Sequence, residues 1–122
     1  MVETRTEKIW LSDAGIMYFQ AKPVNKHLIE DAIENINCGK DVARGKAYPA
    51  IIDIRKSKFV SAEARNLYIS EENSTIKICA LLVGSPVSRI LGNFFIGLNK
   101  TSFPTKIFTK ETLAIEWLER HG

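Results

Sequence analysis

Two short segments near the N-terminus have the apolar patterning of β-strands. Residues 6–11 alternate apolar with polar side chains, and residues 16–19 are denser in apolar and aromatic ones. Asp13 and Gly15 lie between the two segments, and both residue types tolerate the backbone dihedrals of a tight turn. The pattern therefore predicts a β-hairpin.

A helical period of three and four residues follows Pro23. Asn25 is the predicted N-cap, and Gly39 is a predicted C-cap unless a further turn continues the helix to Gly45. The apolar face predicted for this helix consists of Leu28, Ile29, Ala32, Ile33 and Ile36.

Two later runs are apolar with little alternation. Residues 48–54 and 77–83 are rich in β-branched side chains, which is typical of strands covered on both faces, as in a parallel sheet. A shorter strand is predicted at 105–109. We expect these three strands to run parallel to one another.

Each of these strands is followed by a helical period. Ser61 and Ser85 are the predicted N-caps of two of these helices, and Pro86 occupies the first helical position, which favours proline. Thr109 is the predicted cap of the last helix. The expected inward residues are Ala64, Leu67 and Tyr68 in the first helix; Val87, Ile90, Leu91, Phe94, Phe95 and Leu98 in the second; and Leu113, Ala114, Trp117 and Leu118 in the last.

The predicted element order is β-β-α-β-α-β-α-β-α. Strands that alternate with helices indicate parallel strands joined by right-handed crossovers. We therefore predict a single α/β domain over residues 1–122, with a mixed, mostly parallel sheet of about five strands and four helices.

Three motifs give the chain a family resemblance. These are P-x-x-x-D-x-R at 49–55, S-x-E-A-R at 61–65 and F-T-x-E-x-x-A-x-x-W-L at 108–118. With the element order, they resemble a set of small bacterial STAS-like proteins, related to the anti-sigma-factor antagonists and mostly uncharacterised. The resemblance implies a STAS-like fold and a regulatory, protein-binding role, and it implies a relation to the CRAL-TRIO lipid-binding fold.

One family feature is missing. Regulatory STAS domains carry a phosphorylatable serine in a glycine-rich turn after the central strand. The corresponding stretch here, residues 53–65, has no glycine and is more basic, although it contains Ser57 and Ser61. The departure argues against a phosphorylation switch.

Composition and charge narrow the function classes. The chain is 45% hydrophobic and 25% charged, and its net charge of +3 comes without a basic block, so we expect no nucleic-acid partner. Cys38 and Cys79 are far apart, which favours free thiols over a disulfide. No apolar run is long enough for a membrane span, and residues 1–8 lack the apolar core of a signal peptide. We expect a cytoplasmic protein.

The carboxyl ends of the parallel strands are the expected binding edge. The candidate ligand- or partner-binding residues there are Asp53, Arg55, Ser57, Ser61, Arg65, Ser85, Arg89 and Asn93. They form either a small anion site or a partner face, or else Asp53 pairs with a neighbouring arginine while the serines cap helices. In the last case the arginine is Arg65, four residues after Ser61, which reaches back toward the strand end. Phe94, Phe95 and Phe103 form a candidate apolar patch for a protein, a second copy of the chain or a lipid.

Catalysis is not expected. A serine nucleophile needs a positioned base, and His27, placed in the first helix, and His121, next to the last residue, lie away from the strand ends. No metal ligands cluster in the sequence, and we expect no cofactor. We predict a non-enzymatic STAS-like interaction module, with a small carrier or sensor of an apolar ligand as the alternative.

Overall fold

The computed structural model describes residues 1–97 and 102–122, and it describes side chains in the helix over 86–97 only as far as Asn93. The strands are β1 (Val2–Glu3), β2 (Glu7–Leu11), β3 (Met17–Ala21), β4 (Tyr48–Asp53), β5 (Ile76–Leu82) and β6 (Thr105–Phe108). The helices are α1 (Ile29–Ala43), α2 (Ala62–Tyr68), α3 (Pro86–Gly97) and α4 (Glu111–His121).

The described strands form one sheet in the order β1-β2-β3-β4-β5-β6. β1, β2 and β3 are antiparallel, and β3 to β6 are parallel. The predicted α/β class, the hairpin and the three parallel strands are confirmed. β1 was not predicted, because its two residues, which pair with Ile9 and Lys8, are too few to show a pattern.

Helices cover both faces of the sheet. One face packs against α1, α2 and α3 through buried residues such as Ile36, Ala64 and Leu91. The other face packs against α4 through Ala114 and Leu118. β3 to β6 lie side by side in chain order. Right-handed crossovers between these parallel strands place α1, α2 and α3 on the same face of the sheet. Only α4, which follows β6, is left to cover the second face.

The ends of α1 differ from the prediction. The helix begins at Ile29, after Leu28 rather than Asn25, and the Asp31 carboxylate accepts a hydrogen bond from the Leu28 N–H at 2.9 Å. It ends where Arg44 adopts a left-handed conformation, with φ of 53°. Gly39 is not its C-cap: a Cβ there would lie 2.9 Å from the Phe19 ring, so Gly39 lets the helix approach the sheet.

The predicted buried faces of α1 and α3 are confirmed only in part. Ala32 and Ile36 on α1 and Leu91 on α3 are buried as predicted. Leu28 at the N-cap and Ile33 on α1 are exposed, and so are Val87 and Ile90 on α3. The residues that face inward instead include polar or small ones, namely Asn35 on α1 and Ser88 and Gly92 on α3. The spacing of apolar residues could not predict these faces, because their inward residues carry an amide or a hydroxyl or are glycine. Leu98 lies outside the described residues.

α4 also departs from its prediction in part. It begins at Glu111, with Lys110 rather than Thr109 at the cap position. Ala114 and Leu118 are buried as predicted, whereas Leu113 is 50% exposed and Trp117 is only half-buried, against the Phe108 ring. α4 therefore presents a narrow inward face.

Candidate functional site

Asp53 ends β4 at the carboxyl edge of the sheet and is buried. Its Oδ1 accepts hydrogen bonds from the Arg55 N–H at 3.1 Å and from Arg55 Nε at 3.0 Å, and its Oδ2 accepts one from Arg55 Nη2 at 2.8 Å. These bonds raise the pKa of the Arg55 guanidinium above its usual value. Glu111 on α4 lies 3.6 Å from the same Nη2. Asp53 thus has its charge matched by a residue two positions on.

Arg65 does not take part in that pairing. Its Nη1 donates to the Val60 carbonyl at 2.7 Å, which fastens the start of α2 to the preceding loop. Asp53 therefore pairs with an arginine, as predicted, but the arginine is Arg55 and not Arg65. Arg55 follows Asp53 by two residues, directly after the end of β4.

The hydroxyls of Ser61 and Ser85 form hydrogen bonds with backbone N–H groups. Ser61 Oγ accepts from the Ala64 N–H at 3.2 Å, and Ser85 Oγ accepts from the Ser88 N–H at 3.0 Å, as expected of N-caps. Ser88 Oγ accepts in turn from the Gly84 and Ser85 N–H groups, both at 2.9 Å. Ser57 is buried on the loop between β4 and α2.

The β4–α2 and β5–α3 connections meet at this edge. A Cβ on Gly84 would lie 3.2 Å from Arg55 Cγ, so a larger residue at 84 would crowd the arginine. An open groove of about 340 Å³ runs beside them, lined by Gln20, Ala21, Asp53, Arg55 and Lys56. The exposed surface of the two connections and of the start of α3 adjoins at the contact between Arg55 and Gly84.

We call that surface the carboxyl-edge face. Its exposed members on the first connection and on α3 are Arg55, Lys56, Lys58, Phe59, Val87, Arg89, Ile90 and Asn93. It mixes basic with apolar side chains. Of the predicted site residues, it contains Arg55, Arg89 and Asn93, while Asp53 and Ser57 lie beneath it.

The predicted aromatic patch is not formed as expected. Phe103 is buried in the core with Met17, Phe19 and Cys79, so it is not available on the surface. The side chains of Phe94 and Phe95 lie outside the described residues. The exposed apolar side chains of this region are instead Phe59, Val87 and Ile90.

Sequence reasoning missed a buried polar cluster between the sheet and the helices. His27 is buried just before α1, not within it, and pairs with Val60 in an isolated parallel bridge. Its Nε2 lies 2.5 Å from the Tyr68 hydroxyl. Asn35 Nδ2 donates to that hydroxyl and to Thr6 Oγ1, each at 2.8 Å. Burial lowers the pKa of His27 to about 4, so this histidine is neutral near pH 7.

Glu7 lies on the same face of the sheet and is 3% exposed. Its Oε1 has no hydrogen-bond partner in the described part of the chain. Burial raises the pKa of this carboxyl to about 8. An unpartnered buried polar atom costs roughly 1–3 kcal/mol of folding free energy, so a buried glutamate is unusual at this position. The available signal was the strand alternation, which places residue 7 inward with Ile9.

A cavity of about 20 Å³ lies between the sheet and α2. Its wall is mostly apolar, with Ile69 and Phe103 among the lining residues, and Glu7, His27, Ser57 and Tyr68 also line it. A cavity needs about 10–15 Å³ for one water molecule, so this space holds one water-sized group.

The described residues contain neither a cluster of metal ligands nor a membrane-spanning helix. Within 1–97 and 102–122, no three His, Cys, Asp or Glu side chains come together as a metal site would require. In the same ranges, no helix combines the length and apolar character needed to cross a bilayer. Cys38 and Cys79 are free thiols, as predicted.

Comparison with solved structures identifies the fold. An uncharacterised protein of the DUF3478 family from Shewanella loihica PV-4, described as having a SpoIIAA-like fold, matches with a TM-score of 0.61 and 20% identity. The match covers 97% of this chain and 98% of that one, and it confirms the STAS-like fold predicted from the sequence. A protein of unknown function from Arthrobacter sp. FB24 is 27% identical over 97% of this chain and 96% of its own, with a TM-score of 0.39.

Comparison of the sequence alone gives the family. No curated protein matches the chain. Residues 9–122, which include every candidate site residue except Glu7, match a family described as a domain of unknown function, DUF7793. The chain therefore belongs to the DUF7793 family and has a SpoIIAA-like α/β fold.

Proposed function

We propose that this chain is a non-enzymatic, STAS-like interaction module that works in a bacterial regulatory pathway and binds an acidic protein partner through the carboxyl-edge face. The observation that carries the proposal is that two connections in contact at Arg55 and Gly84 both expose apolar and basic side chains. We also propose that the protein works in the cytoplasm.

The apolar part of the face consists of Phe59, Val87 and Ile90. These side chains are 49%, 48% and 58% exposed. Val87 and Ile90 are three residues apart on α3 and therefore lie on the same side of that helix. Large apolar side chains that remain in water on one surface are typical of sites that bind another protein.

The charge of the face is basic. Lys56, Lys58 and Arg89 are exposed and supply this charge, whereas the charge of Arg55 is matched by Asp53 and lies near Glu111. Complementary charge steers encounter and suppresses wrong partners, so the face favours a partner that presents acidic side chains around an apolar centre.

The chemistry of the edge supports binding rather than catalysis. Ser61 and Ser85 cap helices, and Ser57 is buried. His27 lies in the core with its Nε2 against the Tyr68 hydroxyl, and it therefore cannot act as a base for a serine at the surface. The roles of Ser57, Ser61 and Ser85 therefore support a binding surface at this edge.

Photo-crosslinking in the native host tests the proposal. A photoreactive amino acid at position 90 should give one specific protein adduct, and the same group at position 33, where Ile33 is 48% exposed on α1, should not. The captured protein is then purified and titrated against the chain. Ile90→Ser should raise the Kd about tenfold or more, and Ile33→Ser should leave it within about twofold.

The proposal predicts a further dependence on salt. Binding should weaken as NaCl is raised, because exposed charge pairs are screened. Equal crosslinking from positions 33 and 90, or a Kd that ignores Ile90→Ser, would show that the face is not the binding surface. A captured second copy of the chain would replace the acidic partner with a homodimer.

The alternative function, a carrier of an apolar ligand, gains no support from the interior. The cavity of about 20 Å³ holds one water-sized group, whereas small-molecule pockets are roughly 300–1,000 Å³. Native mass spectrometry of freshly purified protein tests this alternative directly. A mass increase that corresponds to a retained lipid would favour the carrier.

A further inference from the structure

A short segment that ends at the first residue of β2 lies against α1. We call this segment, residues 1–7, the N-terminal strap. Arg5 Nη2 donates a hydrogen bond to Asp31 Oδ2 at 2.6 Å, and Thr4 Oγ1 donates one to Asn35 Oδ1 at 2.6 Å. Both acceptors belong to side chains of α1. Polar contacts with this helix therefore hold the strap in place.

The apolar side chains of the strap do not contribute to the core. Met1 and Val2 are 83% and 37% exposed, and the side chains that the strap does bury, those of Thr6 and Glu7, are both polar. Burial of apolar surface is the main force that holds a segment in a fold, and segments without it open at a low free energy. The strap can therefore leave α1 while the apolar core stays covered.

Glu7, the inner end of the strap, is placed where it resists ionisation. Its side chain is almost fully buried, and its Oε1 has no hydrogen-bond partner among the described residues. Burial raises the pKa of this carboxyl to about 8. Loss of the proton leaves a charge without water around it, so the ionised carboxylate favours any arrangement that brings the side chain to the surface.

The groups that face this carboxyl do not compensate its charge. In the described part of the chain, the titratable groups that line the same space are His27 before α1, Tyr68 on α2 and Cys79 on β5, and the lining residues from β3 and β4 are apolar. Burial lowers the pKa of His27 and raises the pKa of Tyr68 and of Cys79, so all three are uncharged near pH 7. The nearest charges on the strap and α1, those of Arg5 and Asp31, are paired with each other.

We propose that the N-terminal strap is a pH-sensitive switch: it lies closed on α1 while the Glu7 carboxyl holds its proton, and it opens when that proton is lost. Opening carries the Glu7 side chain into water. It also frees the backbone of Lys8 and Ile9 at the edge of β2, which pairs with Glu3 and Val2 in the closed form. An unpaired strand edge can take up another strand, so the switch controls access to this edge of the sheet.

Linkage fixes the direction and the size of the effect. The carboxyl has its ordinary pKa of 4.5 when the strap is open and a pKa of about 8 when the strap is closed. A group whose pKa is raised in the closed form stabilises that form fully below pH 4.5, and this contribution is lost as pH rises to about 8. Between these values, each pH unit should raise the population of the open form about tenfold.

Amide hydrogen exchange of the whole chain tests the switch. The Lys22 N–H donates to the Thr6 carbonyl of the strap at 2.8 Å. Its protection, measured relative to an unstructured peptide at the same pH, should fall about thirtyfold from pH 5 to pH 6.5. The Ala80 N–H on β5 exchanges only when the sheet unfolds. Its protection should change less than about threefold, because exposure of His27 on unfolding offsets the effect of Glu7 in this range.

Two variants assign the effect to one carboxyl. Glu7→Gln removes the titrating group and should make the protection of the Lys22 N–H independent of pH. Glu119→Gln, at an exposed acid on α4, is the matched control and should keep the thirtyfold fall. A fall of the same size in Glu7→Gln, or equal falls at Lys22 and Ala80 in the wild-type protein, would overturn the proposal. If Glu7→Gln does not fold, the comparison of the two amides in the wild-type protein still decides.

Proteolysis gives a second readout. Trypsin cleavage after Arg5, expressed relative to cleavage of a free peptide of residues 1–10, should rise about tenfold or more from pH 6.5 to pH 8, and it should be constant in Glu7→Gln. Cleavage after Lys77 on β5 requires the sheet to unfold and should be slower at both pH values. Equal relative cleavage after Arg5 at the two pH values would show that the strap does not open. Neither readout involves a partner protein, so both are independent of the function proposed above.

Discussion

The Tyr68 hydroxyl lies 2.5 Å from His27 Nε2, and this contact joins the end of α2 to the segment that precedes α1. Asn35 Nδ2 also donates to the hydroxyl, at 2.8 Å. One phenol oxygen thus connects three separate parts of the chain within the core. Buried polar groups that are mutually satisfied tend to fix one packing arrangement, and removal of a shared member leaves the others unpaired.

Tyr68→Phe should therefore lower the free energy of unfolding by about 1–3 kcal/mol, since it leaves His27 and one Asn35 hydrogen without a partner. Urea unfolding at constant pH measures the loss. Tyr48→Phe, at a half-buried tyrosine on β4, is the matched control and should cost less than about 0.5 kcal/mol. A Tyr68→Phe loss as small as that of the control would show that the network adds nothing to stability.

Stability should depend on pH through two buried groups that act in opposite directions. Burial raises the pKa of Glu7 from 4.5 to about 8, so the folded chain binds more protons than the unfolded chain between these values and loses stability as pH rises. Burial lowers the pKa of His27 from 6.5 to about 4, so the folded chain binds fewer protons there and gains stability as pH rises.

The two effects oppose each other up to pH 6.5, and only that of Glu7 remains above it. The free energy of unfolding should therefore fall by about 2 kcal/mol from pH 6.5 to pH 8, at about 1.4 kcal/mol per unit. Urea titrations at both pH values measure the fall. Glu7→Gln should abolish it and should leave a rise between pH 4 and 6.5 from His27. A fall that persists in Glu7→Gln would assign it to another group.

The strand pattern predicted the sheet well because parallel strands buried on both faces are apolar throughout, and β4 and β5 have that character. Helix faces were predicted less well where polar or small residues point inward. Asn35 is buried because its amide bonds to Thr6 and Tyr68, and these partners come from distant parts of the chain. Apolar periodicity carries no information about such partners.

The candidate site shows the same division. The Asp53–Arg55 pair and the Ser61 cap are local, since each joins residues two or three positions apart. The sequence alone predicted the cap and an arginine partner for Asp53, but the arginine it named was Arg65. The Glu7 cavity depends on the docking of α2 against the sheet. Its one local signal was an acid at an inward strand position, which becomes informative only once the register is known.

The last helix should show how strongly burial controls stability. Leu118 is 1% exposed and packs with Ile51 and Leu82, whereas Trp117 is half-buried. Leu118→Ala should cost about 2–5 kcal/mol, and Trp117→Ala should cost less, although tryptophan is the larger side chain. Urea unfolding of both variants gives the order. A larger loss for Trp117→Ala would show that the Phe108–Trp117 contact supports α4 more than the buried leucine does.

Ser61 should behave as a helix cap. Its Oγ accepts from the Ala64 N–H at 3.2 Å, so Ser61→Ala should cost about 1 kcal/mol. Ser61→Asp should fold with stability close to wild type, because a carboxylate both caps a helix and favours its N-terminus. Ser74→Ala, at an exposed serine, is the control and should be neutral within about 0.5 kcal/mol. Equal stability of Ser61→Ala and Ser74→Ala would remove the capping role.

The same geometry predicts that neither serine of this stretch is the main phosphorylation switch. Ser57 is buried, and a phosphate there would require the core beneath the β4–α2 connection to open. The Ser61 hydroxyl is engaged with the backbone, although a phosphate at a helix N-terminus is electrostatically tolerated. Intact-mass measurement after incubation with host lysate and ATP should show no stoichiometric phosphate. Full phosphorylation at either position would restore the switch that regulatory STAS domains use, and it would place control of partner binding on the connection itself.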